Sequence, residues 1–361
     1  PLNGAESLVH TLAASGVELC FTNPGTSEMH FVAALDRIDG VRCVLGLFEG
    51  VVTGAADAYW RMAGKPAATL LHLGPGFGNG LANLHNAGKA RSGIVNVVGD
   101  HALGHARFES PLKSRAADIA GSVSGWVRSS LTPADVGADA AAAVAATRDG
   151  AVGRIATLLL PADTAWGPGG RPAVAAAPVA PTFNAAAAPG AARTLQQLGS
   201  RAVLLLGAGG SASERAQHLA AAIAAKTGCK LFAEFYNARM PGGRHLPRVD
   251  RLPYVVDLAV ARLAGTEALV LAGAVEPIGF FGYPGKPSQL KPPGCALLTL
   301  AEPWEDVPAA LQALADELGV TADVPLSLRT APVAPSGPIT PESAAAAVAA
   351  TLPEHAVVID E

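Results

Sequence analysis

Through the first half of the chain, short apolar runs alternate with stretches in which apolar positions recur every three or four residues. The apolar runs predict strands at Glu18–Thr22, Val41–Leu47, Ala67–Leu73, Ile94–Val98 and Arg154–Leu160. The periodic stretches predict helices at Glu28–Ile38, Glu49–Met62, from the glycine-rich segment after Leu73 to Lys89, and Pro133–Thr147. A further helix opens at Asn3, where Glu6 stands three residues on, as in a capping box, and Leu8, Val9, Leu12 and Ala13 keep helical spacing. Strands that are apolar on both faces imply a parallel sheet covered on both sides.

From Gly167 to about Gly190 the composition turns to Ala and Pro with almost no charge, which predicts a linker. A second α/β unit follows, with strands at Ala202–Leu206, Lys230–Phe235, Ala268–Ala272 and Ala296–Leu300. Its helices run to Lys226, near Tyr254–Leu263 and over Val307–Leu318. A Pro-rich joint (Ala331–Pro341) leads to a helix at Glu342–Leu352 and an apolar run, Ala356–Glu361, that reads as the first strand of a further unit cut short. The expected organisation is therefore two doubly wound parallel-sheet α/β units, 1–167 and 191–330, joined by a linker at 168–190, with 331–361 starting a third.

Composition narrows the class. Of 361 residues, 50% are hydrophobic and 16% charged, against a usual charged share of about 25%. Such a chain can bury several cores and subunit interfaces, which excludes intrinsic disorder. No apolar run approaches the roughly 18 residues of a membrane span, and no basic-plus-apolar leader opens the chain, so a cytoplasmic protein is expected. The cysteines, Cys20, Cys43, Cys229 and Cys295, lie far apart without a CxxC pair, which argues against a zinc site or a disulfide framework. A net charge of −4 gives no reason to expect nucleic acid.

Candidate chemistry concentrates in the first unit. Glu49 follows an apolar strand and precedes Gly50-Val51-Val52-Thr53-Gly54-Ala55-Ala56, so its carboxylate should be largely buried. A buried charge is costly, and Glu49 should therefore have a raised pKa, a partner or a ligand. Its ordinary reading is a first-turn glutamate favoured by the helix dipole. Two glycine-rich strand-to-helix turns, Pro24-Gly25 and Gly74-Pro75-Gly76-Phe77-Gly78-Asn79, would lie at the carboxyl ends of parallel strands, where ligands bind. His72 ends a buried strand, either as a satisfied core histidine or as a proton-handling group. In the second unit Gly207-Ala208-Gly209-Gly210 follows a strand, but the sixth position of a dinucleotide fingerprint is Ala212, and a tight turn explains it as well.

Taken in order, Asn23-Pro24-Gly25-Thr26, Glu49 before a Gly/Ala-rich helix, His72 with Gly74–Asn79, and Val97-Val98-Gly99-Asp100-His101 resemble the thiamine-diphosphate-dependent decarboxylase and carboligase family, its benzoylformate decarboxylase and acetolactate synthase-like branches above all. The resemblance covers the whole first unit; in the second only the layout matches. It implies that Glu49 bonds the pyrimidine ring of thiamine diphosphate and so activates the cofactor, whose carbanion chemistry acts on a 2-keto acid. It further implies that Pro24 and Gly25 pack on that ring, that Thr26 faces substrate where benzoylformate decarboxylase has Ser, and that Asn79 orders the cofactor side. His72 would act as a proton relay, a feature of the decarboxylase branch. Some family members bind FAD or ADP in the middle unit. The family holds the diphosphate through Mg2+ on a Gly-Asp-Gly motif; this chain has Gly99-Asp100-His101, so the metal ligands are expected in a third unit beyond Ala356–Glu361. A homodimer or homotetramer with active sites between subunits is implied. Two rival readings are a non-catalytic relative of the same fold and a nucleotide-binding protein working through Gly207–Gly210.

Overall fold

A computed structural model describes residues 1–322 and 333–359. Helix α1 (Gly4–Ala14) is closed by the reciprocal cap that the sequence predicts. Asn3 Oδ1 accepts the Glu6 amide at 2.7 Å, and Glu6 Oε2 accepts the Asn3 amide at 2.8 Å. Strand and helix then alternate as β1 (Leu19–Asn23), a 3-10 turn (Thr26–Glu28), α2 (Met29–Arg37), β2 (Arg42–Leu45), α3 (Glu49–Ala63), β3 (Ala67–Leu71), α4 (Leu73–Ala90) and β4 (Ile94–Asp100). Next come α5 (Ala116–Val123), β5 (Trp126–Ser129), α6 (Val136–Ala146), a small hairpin of β6 (Arg148–Asp149) and β7 (Val152–Gly153), β8 (Ile155–Pro161) and α7 (Ala162–Trp166).

The six-stranded sheet has the order β2-β1-β3-β4-β8-β5, and every pair in it is parallel. Its residues alternate between two cores. Leu70, Val97 and Leu158 face Leu8, Leu12 and Phe31, whereas Leu71, Ile94 and Leu159 face Phe77 and Leu84. Period-two alternation with both faces covered is why these strands are apolar throughout. One buried polar ladder crosses the centre: Thr69 Oγ1 donates to Asn96 Oδ1 at 2.8 Å and Asn96 Nδ2 to Thr157 Oγ1 at 2.9 Å, in register on neighbouring strands.

The second parallel sheet follows α8 (Ala188–Leu198). It contains β9 (Ala202–Leu206), α9 (Ala208–Ala212), α10 (Glu214–Thr227), β10 (Lys230–Ala233), β11 (Asp250–Arg251), α11 (Val256–Leu263), β12 (Ala268–Ala272), β13 (Ala296–Ala301) and α12 (Val307–Leu318), with strand order β11-β10-β9-β12-β13. Two α/β parallel sheets are thus the fold that the sequence predicts. The two halves touch where the Ala151 amide donates to the Trp304 carbonyl at 2.9 Å and Arg61 Nη1 to the Ala238 carbonyl at 3.3 Å. Helix α13 (Pro341–Thr351) stands apart, with no buried residue.

Several expectations are corrected. Gly74–Asn79 forms the opening turns of α4 instead of a loop, because the glycines let that helix lie close to α3. Helix α8 begins inside the predicted linker, since Pro189 suits a first helical turn. Residues 169–184 do lack helix and strand and run along α1, with the Ala173 amide on Thr11 Oγ1 at 3.0 Å and the Ala175 amide on Ser15 Oγ at 2.9 Å. Helix α5 and strand β5 arise where no element was predicted; β5 has a half-exposed edge pattern without clear periodicity. Strand β2 ends at Leu45, short of Leu47, being an edge strand. Ala356–Ile359 form no strand. Asp360 and Glu361, with Ala331 and Pro332 of the joint and residues 323–330, lie outside the described residues.

Replacing Asn96 with Ala strands the Thr69 hydroxyl in the core and leaves Thr157 only its bond with Ser124 Oγ, 2.7 Å away. Urea unfolding should show a loss of ~2 kcal/mol, the cost of a buried group left without its partner; a loss below about 0.5 kcal/mol would refute the ladder's structural role.

Candidate active site

The carboxyl ends of β1, β2, β3 and β4 meet at one edge of the first sheet, and each leads into a candidate residue. Strand β1 runs into Pro24, Gly25 and Thr26; β2 into Leu47, Phe48 and Glu49; β3 into His72; β4 into Gly99 and Asp100. Asn23 Nδ2 donates to the Gly46 carbonyl at 2.8 Å and pins the first two of these exits together.

Glu49 is the first residue of α3 and is 8% exposed. Its partner is Asn79 on α4, whose Nδ2 donates to Glu49 Oε2 at 3.0 Å. Helices α3 and α4 approach closely enough for this because Thr53 Oγ1 donates to the Gly80 carbonyl at 2.9 Å and Asn83 Nδ2 to the Gly50 carbonyl at 2.8 Å. Among the described residues no donor reaches Glu49 Oε1. A Cβ on Gly76 would sit 3.0 Å from that oxygen and 3.3 Å from His72 Cβ, so Glu49 and His72 flank one glycine. A dry carboxylate with one oxygen held and the other open fits a ligand ring nitrogen that shares a proton with it, as thiamine diphosphate would offer.

His72 precedes α4 as its N-cap, and the next residue, Leu73, takes a left-handed backbone, φ 48°. Such a conformation costs about 1–3 kcal/mol for a non-glycine residue, and it is held by complete burial of the Leu73 side chain. His72 Nδ1 lies 2.7 Å from Glu28 Oε2, and the same oxygen accepts the Gly25 amide at 2.8 Å. The imidazole lies flat on Gly25, where a Cβ would fall 2.3 Å from Nδ1. Glu28 itself is 1% exposed. Sequence reasoning treated it only as a helix start; the available signal was its place three residues after Gly25, the spacing at which a glutamate returns to cap a backbone amide.

Thr26 is exposed at the head of the 3-10 turn, one residue from the Gly25–His72 contact, and Pro24 is half-buried. The structure thus draws Pro24, Gly25, Thr26, Glu49, His72 and Asn79 to one edge and adds Glu28. Among the described residues no group of three or more His, Cys, Asp or Glu side chains is arranged to hold a metal ion, and no helix is long and apolar enough to cross a membrane.

The sheet topology and this edge define an α/β protein with polar side chains gathered at its strand ends, where ligands bind in such folds. Residues 2–118 match the family described as thiamine pyrophosphate enzyme, N-terminal TPP binding domain. Over 363 aligned residues the chain is 50% identical to a Mycobacterium tuberculosis protein that carries the provisional name acetolactate synthase large subunit IlvX, covering 100% of this chain and 69% of that protein. It is 39% identical over 88 residues, 24% of this chain and 16% of the relative, to benzoylformate decarboxylase of Pseudomonas aeruginosa. The crystal structure of benzoylformate decarboxylase from Polynucleobacter necessarius shares the fold, with a TM-score of 0.76 at 20% identity, over 95% of this chain and 67% of that one. The chain belongs to the thiamine-pyrophosphate-dependent enzyme family, and it spans about two thirds of the length of the tuberculosis relative and of the solved enzyme.

In the second unit the glycine turn is occupied by the chain itself. A Cβ on Gly207 would fall 2.0 Å from the Gly273 carbonyl oxygen and 2.5 Å from Ala274 Cα. Glu234, at the end of β10, accepts the Val275 amide at 2.7 Å and so holds the loop that closes over Gly207. Burial pushes the Glu234 carboxyl above its ordinary value, against the pull of the Val275 amide and the Arg91 charge. The unfolded chain therefore gives up this proton first, so stability is full below the ordinary carboxylate range and falls as pH rises through the folded value. Glu234→Gln keeps an acceptor for Val275. Its urea midpoint should decline less than that of the unmodified protein between about pH 4 and pH 7; equal declines would contradict the burial of this group.

Proposed function

We propose that the protein decarboxylates a 2-keto acid with thiamine diphosphate, in the manner of the benzoylformate decarboxylase branch. The observation that carries this reading is Glu49: buried, fixed by Asn79 through one oxygen and open at the other. A non-catalytic relative would have no need to keep such a carboxylate dry.

Thiamine diphosphate supplies, when bound, a carbon nucleophile for the keto carbon and a sink for the electron pair left by carbon dioxide. Glu49 would hold the pyrimidine ring through Oε1 and share its proton, with Asn79 keeping the carboxylate in place. Pro24 and Gly25 would form the wall against that ring. His72, on the other side of Gly76, would take and return a proton at the reacting group, and the Thr26 hydroxyl would bond the substrate. The diphosphate would be held with Mg2+, whose hard-oxygen ligands are not assigned to any residue of this chain.

A second copy of the chain is the expected partner. Around the start of α3 the side chains of Leu45, Leu47, Phe48 and Val51 are 65%, 90%, 50% and 60% exposed, an apolar collar beside the buried Glu49. Collars of this kind mark protein contacts, and covering this one would also close the site to water.

The test compares the full-length protein with its Glu49→Gln variant. Decarboxylation of aromatic and aliphatic 2-keto acids should fall by at least about 100-fold, and thiamine diphosphate should raise the melting temperature of the unmodified protein more than that of the variant. Equal turnover by the two proteins would remove Glu49 from the mechanism, and product analysis would reveal any carboligation.

A further inference from the structure

We propose that Glu28 is a positioning residue that fixes the tautomer of His72 so that Nε2 is the nitrogen free to accept a proton. The proposal rests on the proton-handling role of His72 given above, but its first observable does not.

The Glu28 side chain has no exposure to solvent. A carboxylate so placed needs partners, and those present converge on a single oxygen: the Gly25 amide at 2.8 Å and His72 Nδ1 at 2.7 Å, both on Oε2. Oε1 is buried with no hydrogen-bond partner and lies over Gly99, where a Cβ would fall only 1.7 Å away. Glycine at 99 is therefore what admits the carboxylate. The Gly25 amide alone would explain a turn cap, yet a cap does not require a histidine ring stacked on the capped glycine.

An ionised carboxylate only accepts hydrogen bonds, so in the neutral imidazole the proton facing it sits on Nδ1, and Nε2 keeps its lone pair. Among the described residues nothing bonds Nε2. When Nε2 accepts a proton from the reacting group, the Glu28 carboxylate faces the imidazolium it forms; when Nε2 returns it, the ring recovers the same tautomer. No other co-reactant is needed.

Nitrogen-15 NMR of the histidine-labelled chain, with His72 assigned through His72→Gln, should show the Nδ1–H tautomer, and Glu28→Ala, which removes the acceptor facing Nδ1, should shift it toward Nε2–H. In the full-length enzyme loaded with thiamine diphosphate, Glu28→Gln should lower kcat about 10- to 100-fold with little change in KM and displace the acid limb of the pH profile. Should Glu28→Ala fail to fold, Gly99→Ala, which crowds Glu28 off its seat, should produce the same tautomer change. An Nε2–H tautomer in the unmodified chain, or a Glu28→Gln enzyme with unchanged kcat and pH profile, overturns the proposal. Absence of any 2-keto acid turnover would instead defeat the functional reading and leave the tautomer result standing.

Discussion

Two carboxylates, those of Glu28 and Glu49, are withdrawn from water at one edge of a parallel sheet, and the local structure is organised around giving each a partner. Burying an ionised group without hydrogen bonds is prohibitively costly. Gly25 and His72 hold one oxygen of Glu28, and Asn79 holds one oxygen of Glu49. The Gly25 bond is local, but the His72 and Asn79 bonds cross between elements distant in sequence and so tie them together. The His72 bond joins the ends of β1 and β3, and the Asn79 bond joins α3 to α4.

The glycines at this edge are the counterpart of the carboxylates. Gly25 makes room for the His72 ring, Gly76 separates His72 from Glu49, and Gly99 admits Glu28. Side chains at these points would collide with His72, Glu49 and Glu28. The second sheet uses the same device for another end: Gly207 is packed under Gly273 and Ala274, and Glu234 spends its carboxylate on the Val275 amide. There the first glycine of the turn serves to pack one strand exit against its neighbour.

Much of the fold was legible because strand burial on both faces writes itself as uninterrupted apolar runs. Central strands such as Ala67–Leu71 and Ala202–Leu206 were found nearly to the residue, whereas β5, with its exposed edge and four residues, left no periodic trace. Gly74–Asn79 looked like a loop because glycine and proline are poor helix formers; contact with α3 overrode that preference. The burial of Glu49 was legible from its apolar flanks, but its partner Asn79, thirty residues away, was not. Glu28 went unrecognised as a site residue because nothing local distinguishes it from any helix-opening glutamate.

By itself the sequence determined the α/β class, the order of most strands and helices, and a set of candidate site residues without Glu28, since these depend on hydrophobic period and on motifs read along the chain. Only the tertiary structure decided which of those residues meet. His72 gains its direction from Glu28 and Gly25, and Glu49 its fixed geometry from Asn79, through contacts that exist only once the crossing helices bring the ends of β1, β2, β3 and β4 to one edge. Sequence periodicity records which face a residue buries, whereas a hydrogen bond between strand exits depends on the order in which strands lie side by side, and no local pattern encodes that order.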